Sequence, residues 1–399
     1  MKFAHLSDCH LGAHRDLKLR DANTRSFIMA IDKCMEEKVD FVLIAGDLFD
    51  TAVPVIDILK IAMKQLKRLK NAKIPVYLIA GSHDFSPSGK TMLDILEEAN
   101  LAVNVARCEP LPNDKIKLLF TIDEKTGAKI TGIPGRKGGL DKAYYYHIAR
   151  EFLEKEQGFK IFMFHGTIDE LKTRKFQKVE GMALSLMPEG FDYYAGGHLH
   201  FVRRDSFGKY KNAVYPGPIF PNSFDEIEDL KHGSFAIFED GNIKIVSLPV
   251  NPVVCITVDA EQKTPSEVEA MIKKQLSEND LTDAIVAIRV FGCLRQGKTA
   301  DIRWNDIYHD CYSKKAFCVK HNANALTSRE MEVIMVKEAN VEEVEDSLLK
   351  QHASQFKLST NDVELAKKLM HCLSAEKAEG ERNADFEARV HSELDKLFG

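Results

Sequence analysis

Five short apolar runs punctuate the first 200 residues, at positions 3–6, 41–45, 76–80, 160–164 and 191–195, and each has the length of a strand. Between them lie stretches with helical spacing. In 55–70 the residues Val55, Ile58, Leu59, Ala62, Leu66 and Leu69 form a stripe, and Ile56, Ile61 and Met63 carry apolar character past one face. A second stripe in 91–99 joins Met92, Ile95, Leu96 and Ala99, with Leu93 to one side. This alternation predicts a sheet flanked by helices. After residue 250 the pattern changes to a strand at 253–258, a helix from Thr264 or Pro265 to 276 and an alternating strand at 284–291, which read as a small α/β module. From about 331 the chain reads as helical. Asn361 and Glu364 form a capping pair for a helix carrying Val363, Ala366, Leu369, Met370 and Leu373. A polar break then precedes a second helix with Phe386, Val390, Leu394 and Leu397. The expected organisation is therefore 1–250, 251–330 and 331–399.

Each apolar run leads into a polar block rich in Asp, His and Gly. Asp8-Cys9-His10, Gly46-Asp47-Leu48-Phe49-Asp50, Gly81-Ser82-His83-Asp84, His165-Gly166 and Gly196-Gly197-His198-Leu199-His200 each stand where a strand is expected to end. Loops at the carboxyl ends of strands converge on one crevice, so residues distant in sequence meet there. Two divalent cations about 3.5 to 4 Å apart need a short anionic bridge, and one carboxylate serves; Asp47 is the expected bridge. Mixed imidazole and carboxylate donors suit Mn²⁺, Fe or Zn²⁺ better than Ca²⁺ or Mg²⁺, which prefer oxygen.

On these blocks the chain resembles the calcineurin-like metallophosphoesterase superfamily. MKFAHLSDCHLG, GDLFD, GSHD, HGTI at 165–168, GGHLH and Tyr215-Pro216-Gly217-Pro218 place it nearest the archaeal nuclease subunit of the DNA double-strand break repair complex, a relative of the bacterial SbcD nuclease. The likeness is firm over about 1–250. It implies a two-sheet α/β sandwich flanked by helices, a smaller α/β capping domain and a helical C-terminal tail. It further implies that Asp8, His10, Asp47 and His200 hold one manganese, and that Asp47, Ser82, His165 and His198 hold another. His83 would orient the scissile phosphate or protonate the leaving sugar oxygen. The family's partners would be DNA, a second copy of the chain packed through helices near 55–70 and 91–99, and the coiled coil of an SMC-like ABC ATPase bound by the tail.

Two positions depart from the pattern. Ser82 stands where the superfamily carries Asn, and its shorter hydroxyl is a weaker neutral donor, so the second site is expected to be the weaker. Asp50 stands where a substrate-contacting His is usual, and a carboxylate there would repel a phosphate.

Composition narrows the setting. The net charge of −5 is uneven: residues 331–399 carry 15 acidic and 9 basic side chains, leaving 45 and 46 for the rest. Bulk charge therefore does not announce nucleic-acid binding, and the candidates are local: Arg15, Lys18 and Arg20 after the first block, Lys172, Arg174, Lys175 and Lys178 after the fourth, and Arg203 and Arg204 after the fifth. Trp304, Tyr308, Tyr312, Lys314, Lys315 and Lys320 suit a DNA-contacting cap. Eight cysteines without a C-x-x-C pair argue against a disulfide scaffold, and Cys9 is expected to pack away from its flanking ligands. No apolar stretch approaches the ~20 residues of a membrane span. The start in a strand leaves no signal segment, so the expected location is the cytoplasm of a prokaryote, with the archaeal nucleoid as the setting the resemblance implies. No Walker A motif is present, so any ATP would be hydrolysed by a partner chain.

These readings converge on a Mn²⁺-dependent DNA nuclease that degrades duplex ends 3′ to 5′ and cuts single strands in double-strand break processing. Two alternatives stay open: a small-molecule or cyclic-nucleotide phosphodiesterase, and a weakly active DNA-binding scaffold. The cap and tail, about 150 residues, weigh against the first; Ser82 and Asp50 motivate the second.

Overall fold

The computed structural model describes residues 1–86, 89–136 and 142–329, and in the C-terminal segment 365, 368–370, 372–375, 377 and 383–398. Residues Met1–Ser328 form one compact unit and Arg329–Gly399 a second. In chain order the first unit opens with β1 (Lys2–Leu6), α1 (Leu17–Glu36), β2 (Phe41–Ala45), α2 (Ile56–Asn71), β3 (Val76–Ile79), α3 (Leu93–Glu98) and β4 (Val103–Asn104). A hairpin of β5 (Cys108–Pro110) and β6 (Ile116–Leu118) precedes β7 (Thr121–Ile122), β8 (Lys129–Ile133), α4 (Lys142–His147), α5 (Arg150–Glu154), β9 (Lys160–His165) and β10 (Tyr193–Gly197). Next come β11 (Val202–Phe207), β12 (Tyr210–Pro216), α6 (Phe224–Leu230), β13 (Gly233–Glu239) and β14 (Asn242–Leu248).

These strands form two six-stranded sheets, ordered β14-β13-β1-β2-β3-β4 and β11-β12-β10-β9-β8-β7. The expected two-sheet sandwich is what the chain forms. Its logic is the two-residue period of strands buried on both faces. In β1 and β2, Phe3, Phe41, Leu43 and Ala45 point into the layer between the sheets, while Ala4, Leu6, Val42 and Ile44 point to the outer layer with α1 and α2. Likewise in β9, Ile161 and Met163 face inward while Phe162 and Phe164 face out. The inner layer is anchored by aromatics: Phe3 stacks on Phe41 at 4.9 Å and on Phe238 at 4.7 Å, with Tyr193 edge-on at 5.0 Å.

Two helical stripes are set differently from their sequence reading. Val55 caps α2 from outside and is 64% exposed, and Ile56 is 71% exposed, whereas Gln65 joins the buried face. In α3 the phase is shifted: Leu93 is 1% exposed and belongs to the core, while Ile95 is 46% exposed. A six-residue helix is too short for periodicity to fix its rotation.

The remainder of this unit is a parallel sheet, β15 (Val253–Asp259), β16 (Ile285–Leu294) and β17 (Cys318–Ser328), with α7 (Pro265–Ser277) and α8 (Trp304–Ser313). Thr264 and Glu267 form a reciprocal capping box at the start of α7, with Pro265 in the first turn. This module has its own core and docks on α1 and α6 through a seam of Leu19, Ala22, Ile227, Ile285, Ala287 and Cys318. Polar contacts border the seam: Lys320 pairs with Asp16 at 2.8 Å, Arg25 donates to Asn251 at 2.7 Å, and the Lys18 ammonium lies 4.5 Å from the Tyr312 ring centre.

In the second unit, α9 (Asn383–Phe398) carries Phe386, Val390 and Leu394 half-buried, as is Leu369 before it. Val363 and the expected Asn361 and Glu364 capping pair lie outside the described residues. Five cysteines, Cys9 among them, are buried, and none forms a disulfide. Among the described residues no helix is long and apolar enough to cross a membrane.

Candidate metal centre

The site lies where the carboxyl ends of β1, β2 and β3 meet those of β9 and β10. Adjacent loops are laced together by main-chain bonds, His10 N to Asp47 O at 2.9 Å, Leu11 N to Leu48 O at 3.0 Å and Gly166 N to Gly197 O at 3.2 Å. The turns need left-handed backbone: φ is 50° at Asp8, 41° at His10 and 50° at Asp47. Two glycines are required by space. A Cβ at Gly46, whose φ is 87°, would stand 2.2 Å from His165 Nδ1, and one at Gly81 would stand 2.2 Å from Asp47 Oδ1.

Within this frame Asp8, His10 and His200 bring three donor atoms within 4.8 Å of one another, and so do Asp8, Asp47 and His165. His10 Nε2 is 3.1 Å from His200 Nε2 and 3.7 Å from Asp47 Oδ2. His165 Nε2 is 3.1 Å from Asp47 Oδ2. The Ser82 hydroxyl lies 3.4 Å from the same oxygen and donates to it. His198 offers its main-chain N–H to Asp8 at 2.8 Å, and its ring centre is 5.2 Å from that of His165. Five of the seven expected ligands thus fall in these two donor groups, with Asp8 and Asp47 buried, while Ser82 and His198 stand beside Asp47 and His165.

The electrostatics are those of a site short of positive charge. Burial opposes ionisation of Asp47, yet His165 and His10 hold its carboxyl well below the usual range. Burial likewise opposes charge on His165, but Asp47 outweighs it and raises the imidazole to about 10. His198 is lowered to about 4 by burial and then by the His165 charge. The tautomers carry the rest: His165 Nδ1 donates to the Ala45 carbonyl at 2.9 Å, which leaves the buried Nε2 facing Asp47 Oδ2 at 3.1 Å. A divalent cation between this nitrogen and Asp47 would satisfy both, so the donor set fits one.

His83 lies at the rim, 39% exposed, with its N–H on Asp47 at 2.8 Å and its Nδ1 donating to the Asp50 carbonyl at 2.8 Å. Three participants carry no role in the sequence reading. The Asp50 carboxylate sits 3.4 Å from His10 Nδ1 and 4.0 Å from His83 Nδ1, so it faces two imidazoles. Asp84 accepts from Gly81 N and Phe49 N, stapling the loops that carry Ser82 and Asp47, and burial followed by the Asp47 charge pushes its carboxyl up to about 7. Glu226 accepts from His200 Nδ1 at 3.1 Å. Its signal is the spacing Ser223-x-x-Glu226: the Ser223 side chain caps α6 by accepting from Glu226 N, while the Glu226 carboxylate accepts from Asn222 N and Ser223 Oγ.

Of the nine candidate DNA-binding cations, the five that follow the first and last metal blocks separate into two kinds. Arg15 is exposed and lines a cleft of about 230 Å³ beside Lys320 and His321; Lys18 is exposed over the Tyr312 ring. Arg20 donates to the His14 carbonyl at 2.8 Å, Arg203 to Asp205 at 2.7 Å and Arg204 to the Ile243 carbonyl at 2.8 Å. Those three bind their own fold.

A sequence profile of the calcineurin-like phosphoesterase family matches residues 1–202. Among curated proteins, the DNA double-strand break repair protein Mre11 of Methanococcus maripaludis is 31% identical over 209 residues, covering 50% of this chain and 52% of the relative. That of Sulfolobus acidocaldarius is 30% identical over 300 residues, 71% and 72%. The Methanocaldococcus jannaschii protein of the same name is 27% identical over 316 residues, 74% and 77%. The chain thus spans about half the length of the first of these relatives and about three quarters of the other two. With the loops that carry its Asp and His blocks inside the matched segment, the chain belongs to the calcineurin-like phosphoesterase family, as a relative of the Mre11 proteins.

Proposed function

We propose that this protein is a Mn²⁺-dependent phosphodiesterase that cleaves DNA, as an exonuclease from duplex ends and an endonuclease on single strands, in double-strand break repair. The observation that carries the reading is the buried His165 Nε2 facing Asp47 Oδ2 at 3.1 Å beside the Asp8, His10 and His200 cluster. Asp8, His10, Asp47 and His200 would hold one ion, and Asp47, Ser82, His165 and His198 the other. Bound cations of this kind supply Lewis acidity, lowering the pKa of water and neutralising charge on phosphoryl oxygens. The chain's own residues do the positioning. Asp47 and Asp8 supply the anionic floor, and Gly46 and Gly81 give the loops the close approach that a side chain would block. Because His83 Nδ1–H is engaged by the Asp50 carbonyl, Nε2 is the nitrogen left to act, and in the imidazolium form it would carry the proton that passes to the departing sugar oxygen.

The same reading assigns 1–250 to the nuclease, 251–330 to a capping domain beside the crevice and 331–399 to a linker and helix-loop-helix that binds an SMC-like ABC ATPase. A cap with exposed Arg15 and Lys18 at its seam favours a polymeric substrate over a small phosphodiester. The relatives' name, DNA double-strand break repair protein, supports DNA as that polymer. Exposed Ile56 and Ile95 support a homodimer through α2 and α3, and the expected location remains the prokaryotic cytoplasm. The test is turnover with Mn²⁺ of a plasmid, an oligonucleotide duplex and an aryl phosphodiester. Cleavage of the ester alone would replace the nuclease with a small-molecule enzyme, and no cleavage would leave a scaffold. For the tail, Phe386→Glu with Leu394→Glu should abolish co-purification with the co-expressed ATPase while oligonucleotide cleavage persists, because each change sets a charge against an apolar partner.

A further inference from the structure

Helix α6 touches both the cap and the candidate metal centre. Its N-terminus is built by Ser223 and Glu226: Glu226 N donates to Ser223 Oγ at 3.2 Å, while the Glu226 carboxylate accepts from Asn222 N at 2.8 Å and from Ser223 Oγ at 3.2 Å. That carboxylate also receives His200 Nδ1 at 3.1 Å. On either side of Glu226, the helix is gripped by the cap. Arg289 of β16 donates its Nε to Glu228 at 2.8 and 3.0 Å, and its Nη2 to both Glu228 and Asp225. The same guanidinium lies 5.0 Å from the ring centre of Phe224, and Ile227 is buried in the seam with Ile285 and Ala287. Contacts with the cap at 224, 225, 227 and 228 therefore bracket Glu226, whose carboxylate meets His200 Nδ1.

We propose that α6 is a positioning element that couples the seating of the cap to the His200 imidazole, with Glu226 orienting the ring and Arg289 holding the helix that carries Glu226. The inference rests on the reading of His200 as a metal ligand. Carboxylates that receive the second nitrogen of a ligating His fix its tautomer and aim, and their loss typically weakens metal affinity about 10- to 100-fold. A two-turn helix clamped at both of its charged flanks cannot shift at Asp225 and Glu228 without moving Glu226. Displacement of the cap thereby reaches the metal centre, and by linkage metal binding must in turn favour the seated cap.

The experiment is calorimetric titration of the full chain with Mn²⁺ alone, with thermal unfolding in chelator run alongside. His200→Ala should remove one of two Mn²⁺ steps and His198→Ala the other. Glu226→Ala should weaken the His200 step about 10- to 100-fold and spare the other. Arg289→Gln should weaken that same step about fivefold or more. Arg289→Lys should restore it in part, because an ammonium still pairs with one carboxylate. Asp225→Asn with Glu228→Gln, which removes the grip from the α6 side, should reproduce Arg289→Gln and serves where that variant does not fold. Wild-type Mn²⁺ binding in both cap-contact variants, with His200→Ala defective, would overturn the coupling alone. So would equal weakening of both steps with no rescue by Lys. Two intact steps in His200→Ala would overturn the ligand reading and the coupling with it.

Discussion

The Nδ1 of His83 donates to the main-chain carbonyl of Asp50 at 2.8 Å, so the loop that supplies Asp47 also sets the tautomer of the imidazole at the rim. The contact is made by backbone. His83 keeps its orientation whatever side chain stands at 50, while the Asp50 carboxylate lies nearer to His10, at 3.4 Å.

This separates two substitutions. His83→Ala is expected to lower Mn²⁺-dependent cleavage of a duplex by about 10²-fold or more, the scale of a general acid, with both Mn²⁺ steps kept. Asp50→Ala leaves the carbonyl in place and should cost less than His83→Ala in cleavage. Its effect should fall on the Mn²⁺ step that involves His10. Single-turnover cleavage and calorimetry on the two variants provide the comparison; a wild-type rate for His83→Ala would remove the proton-donor role.

Ser82 gives the second test. Its hydroxyl spends its hydrogen on Asp47, 3.4 Å away, and offers an ion only a short neutral oxygen. The two Mn²⁺ affinities should therefore be clearly unequal. Ser82→Asn should tighten the weaker step, spare the other and lower the Mn²⁺ concentration for half-maximal cleavage. Two equal, tight steps that do not respond to the substitution would mean that the shell is already complete.

Much of this site is legible in the sequence because its residues sit in short blocks behind strand-length apolar runs, and strand ends are where topology brings distant segments together. The buried strands are legible for the same reason, since Phe3, Phe41 and Ile161 belong to runs apolar on both faces, whereas the division into two sheets is implied only by the family resemblance. What escapes has a common physical cause. The charge of Asp50 predicts repulsion of a phosphate, but its neighbours are His10 and His83, and no spacing rule reports which way a loop carboxylate turns. Glu226 is visible as a capping residue, yet its contact with His200 spans 26 positions and depends on where α6 docks. The rotation of α3, with Leu93 inside and Ile95 outside, differs from the periodicity because six residues hold under two turns.

His5 makes stability depend on pH. It is fully buried between the sheets, its Nδ1 is 3.0 Å from the Tyr193 hydroxyl, and burial lowers it from 6.5 to about 3 against the opposing pull of Asp8. Above pH 6.5 the folded and unfolded chains both carry it neutral, and its contribution is constant. Below 6.5 the unfolded chain takes up a proton that the folded chain refuses, so stability falls as pH drops toward 3, by up to about 1.4 kcal/mol per pH unit from this group. His5→Gln retains a partner for Tyr193 and removes the titration. Denaturant unfolding in chelator at pH 7, 6, 5 and 4 should show the difference in stability between wild type and His5→Gln shifting steadily toward the variant. A constant difference would mean that His5 titrates normally in the fold.

The last expectation concerns self-association. Val55 and Ile56 at the start of α2 are 64% and 71% exposed, and Ile95 of α3 is 46% exposed, on helices whose other faces are committed to the core through Ile58, Leu66, Leu93 and Leu96. Burying each of these side chains in a two-fold contact would contribute about 1.5 to 3 kcal/mol, enough together to hold a dimer at micromolar concentration once the cost of association is met. Ile56→Glu with Ile95→Glu should therefore yield a monomer in sedimentation equilibrium. Because neither side chain belongs to the core, the thermal midpoint of the monomer should stay close to that of wild type at low protein concentration, and both Mn²⁺ steps should remain. Cleavage of a short single strand should persist, since every proposed ligand comes from one chain. A double variant that sediments as the wild type does would place any dimer contact elsewhere on the surface.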